Sequence, residues 1–303
     1  MLSPEKKERF RTDPAMALEQ EIKAFAKNSP LNRMPATREL TIFDEPLVRF
    51  ADGNDPLYTE YKTIIDPSHL TPHEALAQSL GKSPRALPSR LSVVSWVLPI
   101  MEETRISNRS ERRVPSRRWS HTRYYGEEFN NEVRRYVVEV LNEIGALAVV
   151  PMFQPYFRTS ANERVGLFSN WSERHSAYAA GHGTFSLSDG FITERGIAHR
   201  CGSVVTDLPL AASPRVYDSP FSNCLFYVDG SCRACIDRCP AGAITEQGHD
   251  KMKCMHHLRG IGYLPLPDVY DDETSVAGCG LCQTKVPCEY RIPAKIEKTG
   301  KGS

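Results

Sequence analysis

Eight of the nine cysteines in this 303-residue chain fall between Cys224 and Cys288, and only Cys201 lies outside that stretch. Such crowding constrains the C-terminal quarter more than any hydrophobic pattern does, because thiols set so close either cross-link the chain or ligate metal. The N-terminus, Met1-Leu2-Ser3-Pro4-Glu5-Lys6-Lys7, opens charged and lacks an apolar secretory segment, and the paired arginines at 112–113 and 117–118 are internal. A cytoplasmic protein is expected on that ground, and there clustered cysteines serve metal or chemistry rather than a disulfide framework. No apolar run approaches the roughly 18 residues of a bilayer span. The nearest, Leu147 to Phe153, is broken by Pro151, so no membrane partner is expected.

The spacing of the cysteines says more. Cys232-Arg233-Ala234-Cys235-Ile236-Asp237-Arg238-Cys239-Pro240 supplies C-x2-C-x3-C-P, the end of the ferredoxin-type signature C-x2-C-x2-C-x3-C-P. Neighbouring residues of such a loop offer thiolates to one cubane, while the Cys before Pro faces away and ligates the other. A second set follows, Cys254, Cys279-Gly280-Leu281-Cys282 and Cys288. The crossed logic assigns Cys239, Cys254, Cys279 and Cys282 to one 4Fe-4S cluster, and Cys232, Cys235 and Cys288 to a second. For the missing ligand, Asp229 stands at the regular position and Cys224 five residues before it. Cys224 is favoured, because thiolate is the softer ligand for a cluster iron. Zinc could also use two C-x2-C pairs, but it needs neither C-x3-C-P nor eight cysteines divided in this way. Cys201 reads most simply as a buried apolar residue.

Upstream, the length favours more than one domain. Leu91 to Pro99 is β-branched and nearly all apolar, which predicts a central strand covered on both faces. Glu127 to Ile144 places Phe129, Val133, Val137, Val140 and Leu141 at helical spacing, and Gly145 stops it. Ala146 to Val150 reads as the next strand, so the order is strand, helix, strand, and an α/β or α+β core is predicted. Ala15 to Phe25 and Asn170 to Ala180 read as helices, Gly202 to Thr206 as a strand, and Ala211 to Asn223 as the linker. Residues 1–85 show little periodicity. Arg105 to Arg118 holds six arginines and reads as a solvated loop. Thirty-eight Lys and Arg against 37 Asp and Glu leave a net charge of +1, so the whole-chain balance lacks the usual footprint for nucleic acid.

These residues resemble the epoxyqueuosine reductases and, more distantly, the reductive dehalogenases. The resemblance covers roughly residues 90–292 and rests on Cys232 to Pro240, on Lys253-Cys254 and on Cys279-Gly280-Leu281-Cys282-Gln283. Glu173-Arg174 through Gly181-His182-Gly183 is similar to the family's Glu-Arg…Ala-Gly-Leu-Gly stretch, and Gly202 through Leu210 to its Gly-Ser-Val-Thr-Asp-Leu-Pro-Leu element. The resemblance implies a nitroreductase-like corrinoid-binding core followed by a small two-cluster ferredoxin-like domain. On that scheme residues 1–85 are an N-terminal extension that forms part of a substrate cap, 86–215 the core and 216–303 the cluster domain. It also implies two 4Fe-4S clusters and cobalamin, with Gly181, Gly183, Gly202, Ser203, Thr206 and Asp207 lining the corrinoid.

The reaction so implied is C–O or C–halogen reduction, with electrons from a ferredoxin or flavodoxin. Tyr124, Tyr125, His175 and His182 are the candidate proton donors in this sequence. Where queuosine-pathway enzymes carry an acid ahead of the Glu-Arg pair, this chain has Leu167-Phe168-Ser169-Asn170-Trp171. With no basic excess either, a small-molecule substrate is expected and nucleic acid is not. Two alternatives stand beside it: a protein that passes electrons to reactivate a corrinoid on a separate protein, and an epoxyqueuosine reductase acting on tRNA.

Overall fold

The computed structural model describes residues 2–34, 40–261 and 278–294. Parts of the expected cluster domain, 262–277 and 295–303, lie outside the described residues. The chain begins with helices α1 (Pro4–Thr12) and α2 (Pro14–Asn28), each started by a side-chain cap, and α2 contains the stretch Ala15 to Phe25 read as a helix. Ser3 accepts from the Lys6 amide, and Asp13 from the Met16 amide with Pro14 at the first helical position. Strand β1 (Leu47–Asp52), helix α3 (Leu57–Ile64) and helix α4 (Pro72–Leu80) follow. A reciprocal Thr71–Glu74 capping box starts α4 and a left-handed Gly81 ends it.

Strand β2 (Ser92–Pro99) is buried at all eight positions, as its apolar run predicts. After helix α5 (Glu102–Arg109) comes the long α6 (Arg117–Glu143), which starts about ten residues before the periodic stretch because Ser116 caps it through the Trp119 amide. Then come the short strand β3 (Ala148–Val149), the hairpin β4 (Thr159–Asn162) and β5 (Gly166–Ser169), helix α7 (Glu173–Ala179), the hairpin β6 (Gly183–Phe185) and β7 (Phe191–Thr193), and β8 (His199–Thr206). The C-terminal part has only short elements: α8 (Leu225–Asp229), α9 (Ala234–Arg238), the pair β9 (Ile244–Thr245) and β10 (Gly248–His249), and α10 (Lys251–Ile261).

The main sheet runs β1-β2-β8-β3 with every neighbouring pair antiparallel. β2 and β3 are therefore parallel to each other, as the strand, helix, strand order suggests, but β8 from far along the chain lies between them. One face carries α1, α2 and α6, where Val94, Trp96, Leu98 and Val204 meet Phe129, Val133, Val137 and Leu141. The other carries α3, α4 and α7, with Ala51, Val93 and Val205 against Tyr58, Tyr61, Leu76 and Trp171. Each such large side chain, fully buried, contributes about 1.5–3 kcal/mol. Residues 1–85 are thus built into this core: β1 is a strand of its sheet, and α1 to α4 cover both faces.

Polar ties fix α6 to the sheet. Trp96 donates to Asn130 (2.8 Å), and Asn130 donates to the Cys201 carbonyl (2.9 Å). Arg134, 1% exposed, pairs with Glu127 (2.9 Å) and Glu173 (3.2 Å). The C-terminal segment docks through Glu289, 2% exposed, which takes Arg105 (3.1 Å) and Arg109 (2.8 Å) from α5. Ile197 and Ala198 add amide bonds to the Cys288 and Glu289 carbonyls.

Candidate functional site

The eight clustered cysteines gather around two adjoining spaces. Cys224, Cys232, Cys235 and Cys288, with Cys282 at one edge, line a space of about 370 Å³. Cys239, Cys254, Cys279 and Cys282 line another of about 1220 Å³ that opens to solvent. Cys282 faces both, so the two groups touch there. This is the crossed division expected from the spacing. Cys224 is buried and completes the first group. Asp229 is exposed, and its carboxylate accepts from the Ser231 amide (2.9 Å).

Local structure sets these positions. Short helices present Cys224 and Cys235, and the Cys239 sulfur accepts from the Ala243 amide (3.3 Å). Gly280 turns the second loop with φ of 60°, and a Cβ there would sit 2.1 Å from the Trp119 ring. Arg238 holds that loop to α5, donating to the carbonyls of Leu281, Thr284, Asn108 and Glu111. Burial, reinforced by Cys224 and Cys232, pushes the Cys235 thiol up to about 12. Burial also raises Cys279, to about 11, and raises Cys282 and Cys288 further. Four thiols crowded in an apolar setting resist ionisation until a cation takes their charge, as a metal or cluster does. Among the described residues no three His, Cys, Asp or Glu side chains converge on a point fit for one metal ion. In a 4Fe-4S cluster each iron takes one protein sulfur, so its ligands stand apart around the cube.

The larger space continues past its cysteines to Arg123, Arg174, His199 and Arg200. Arg200 pairs with Glu127 (3.4 Å) and donates to the Arg123 carbonyl (3.4 Å). Burial, then the nearby Arg123 charge, pulls its guanidinium down to about 9, still protonated at neutral pH. Of the Glu-Arg pair, Glu173 turns inward to Arg134 and Ser203, while Arg174 faces the space and donates to the Asp189 carbonyl. The three arginines lie far apart in sequence, and only Arg174 fell within a recognisable stretch.

The residues assigned to a corrinoid do not form a bed for one. A Cβ on Gly202 would meet the Trp96 ring at 2.4 Å, on Gly181 the Pro214 carbonyl at 2.5 Å, and on Gly183 the Ile192 carbonyl at 2.1 Å. Protein atoms therefore occupy the room that these glycines leave. Ser203 and Thr206 are fully buried, bonded to Glu173 and to the Leu147 carbonyl, and Asp207 accepts from the Leu147 amide (2.7 Å).

Nor do the four proton-donor candidates converge. His182 is 2% exposed and donates from Nε2 to the Ser95 carbonyl (3.1 Å), and burial pulls its pKa down to about 3. His175 stacks among Tyr61 and Phe185, and burial lowers it to about 3 as well. Tyr125 faces residues 28–34 beside α2, away from the cysteines, and Tyr124 packs on its ring edge. Where the family's acid would stand, Ser169 and Asn170 bond the local backbone instead. Cys201, on β8, is held protonated by burial, up to about 12.

No family model matches the chain. An epoxyqueuosine reductase of Bacillus anthracis is 33% identical over 121 residues, 38% of this chain and 29% of that protein. One from Bacillus cereus is 26% identical over 215 residues, 66% of this chain and 49% of that protein. The chain thus spans about half or less of the curated relatives it matches. Solved structures include the Bacillus subtilis epoxyqueuosine reductase, 19% identical with TM-score 0.44, covering 93% of this chain and 68% of that one. Another is an epoxyqueuosine reductase with an epoxyqueuosine-modified tRNA-Tyr stem loop, 19% identical with TM-score 0.43, covering 91% and 66%. The reductive dehalogenase NpRdhA is 16% identical with TM-score 0.42, covering 67% and 26%. The chain is a relative of the epoxyqueuosine reductases. That overturns the expectation that nucleic acid is an improbable partner, since such a relative holds a tRNA stem loop. Among the described residues no helix is long and apolar enough to cross a membrane.

Proposed function

We propose that this chain is an iron–sulfur reductase of the epoxyqueuosine reductase kind, acting on an epoxide-bearing nucleoside within tRNA. One observation carries the reading: eight cysteines divide into two fours around adjoining spaces, and the second space runs on into a guanidinium-lined cavity. The names of the curated relatives supply the reaction class, and the stem loop of a solved relative names the carrier. Cys224, Cys232, Cys235 and Cys288 hold one 4Fe-4S cluster in this reading, and Cys239, Cys254, Cys279 and Cys282 the other. When bound, such clusters supply one-electron transfer at low potential.

Removing the epoxide oxygen takes two electrons and two protons, breaks both C–O bonds of the ring to leave an alkene, and releases the oxygen as water. Cys282, which lines both spaces, joins the two groups on this reading. Arg123 and Arg200 line the cavity as cations and orient an anionic substrate there, a guanidinium being well matched to phosphate. The buried Trp119 beside Gly280 walls the inner side against water. No step is derived through a corrinoid, because the residues assigned to it are packed against protein atoms.

The test uses the full chain isolated without oxygen and reduced by a low-potential one-electron donor. Mixed with an epoxyqueuosine-bearing stem loop, it is expected to yield a nucleoside lacking one oxygen by mass spectrometry, consuming two electrons per turnover. Unchanged nucleoside beside a fully reduced chain, with and without added cobalamin, refutes the proposal.

A further inference from the structure

The turn between α5 and α6 presents guanidinium groups that pair with no carboxylate among the described residues. Of the six arginines from Arg105 to Arg118, Arg105 and Arg109 are spent on the buried Glu289. Arg112 and Arg113 stand exposed and Arg118 half-exposed, with Arg123 five residues further along α6 among the residues that line the larger cavity. Among the described residues no carboxylate forms an ion pair with any of these four. An isolated arginine of this kind is ordinary surface, but here four lie within twelve residues of one another and the last of them lines the larger cavity.

The turn is also rigidly mounted. The Ser116 amide donates to Asn108 (2.9 Å), and the Ser107 and Ser116 hydroxyls bond each other (2.8 Å). Arg238, from the cysteine loops, donates to the Glu111 carbonyl (2.7 Å) and the Asn108 carbonyl (3.1 Å). Asn108 in turn donates to Thr284 (3.1 Å). The backbone of the turn is thus tied to the loop that carries Cys279 and Cys282.

We propose that this ridge, Arg112, Arg113, Arg118 and Arg123, binds the phosphodiester backbone of the RNA and seats its modified nucleoside over the cavity; the proposal rests on the functional reading above. Guanidiniums meet phosphate oxygens in pairs of parallel hydrogen bonds, which suits backbone positioning rather than base reading. The net charge of +1 does not oppose this, because contacts at a few ångströms depend on the local field within a Debye length of about 8 Å. An acidic protein fits the ridge less well. Docked there it would deliver electrons straight to the Cys239 group and leave the Cys224 group without a part.

The experiment compares three full chains with reconstituted clusters: wild type, the ridge variant R112Q/R113Q/R118Q, and the control K82Q/R85Q/R90Q, which removes the same charge from exposed positions before β2. Iron content and circular dichroism establish that each is folded. Binding of a fluorescent tRNA stem loop is read by anisotropy over a salt series. The ridge variant should bind at least about tenfold more weakly, with a salt slope shallower by about 2, near 0.7 per lost single-strand phosphate contact. The control should stay within about twofold of wild type. Equal weakening in both variants, or in neither, overturns the ridge, as does unchanged RNA binding beside slower reduction by an acidic donor protein. Ridge-dependent binding with the epoxide left intact supports the ridge and sinks the reductase reading. Reduction of a free nucleoside without ridge-dependent RNA binding does the reverse.

Discussion

Replacing Cys224 by Ser separates the two candidates for the eighth ligand. Cys224 is 8% exposed and faces the space shared with Cys232, Cys235 and Cys288, whereas Asp229 is exposed and turned to the Ser231 amide. The chain isolated without oxygen should carry about eight irons, Cys224→Ser about four, and Asp229→Asn about eight. A second magnitude follows from topology. The first group ties positions 224 and 288, closing a loop of about 65 residues, and a cross-link of that length restricts the unfolded chain by about 4 kcal/mol on the disulfide relation. Cys224→Ser should therefore unfold at markedly lower denaturant than wild type when both are cluster-loaded, and match it when both are stripped. Iron and acid-labile sulfide analysis with anaerobic urea unfolding reads both effects. Full iron in Cys224→Ser together with half iron in Asp229→Asn would refute the reasoning.

Further outcomes follow from the same structure. Glu289→Gln strips the buried partner from Arg105 and Arg109, costing about 3 kcal/mol and several degrees of Tm by calorimetry. Gly280→Ala meets both a left-handed backbone and the Trp119 ring, so it should lose about half of the iron, whereas Gly145→Ala, equally left-handed but in open space, should cost only about 1–2 kcal/mol and keep its iron. His182 is neutral in the fold with its pKa near 3, against about 6.5 unfolded. The unfolded chain takes up that proton first, so stability is full above about pH 6.5 and falls on acidification toward the folded pKa, by about 1.4 kcal/mol per unit from this group. Urea unfolding between pH 7 and 5 should show that slope reduced by about one proton in His182→Gln.

The parts of the fold that were legible have strong local signals. β2 declares itself by an unbroken apolar run and α6 by its period, since both patterns reflect burial along a single element. Apart from α2, the described part of residues 1–85 was opaque because α1 and α4 are fixed by caps at Ser3 and Thr71, and because β1 gains its place by pairing with β2 across about 45 residues. The insertion of β8 between β2 and β3 is likewise a non-local choice. In the site, the cysteines were readable since cluster ligation imposes spacing on the chain. The glycines misled because a missing Cβ serves close packing as well as ligand approach, and at Gly202 the neighbour is Trp96. Arg123 and Arg200 could not be found by spacing, for α6 and β8 bring them together only in the folded core.

Native mass spectrometry of the full chain, isolated and sprayed without oxygen, tests the central claim most directly. The account predicts one dominant species whose added mass corresponds to two clusters, each of four irons and four sulfides. Bound zinc without sulfide, or a metal-free chain that takes up no iron and sulfide on reconstitution, would contradict it.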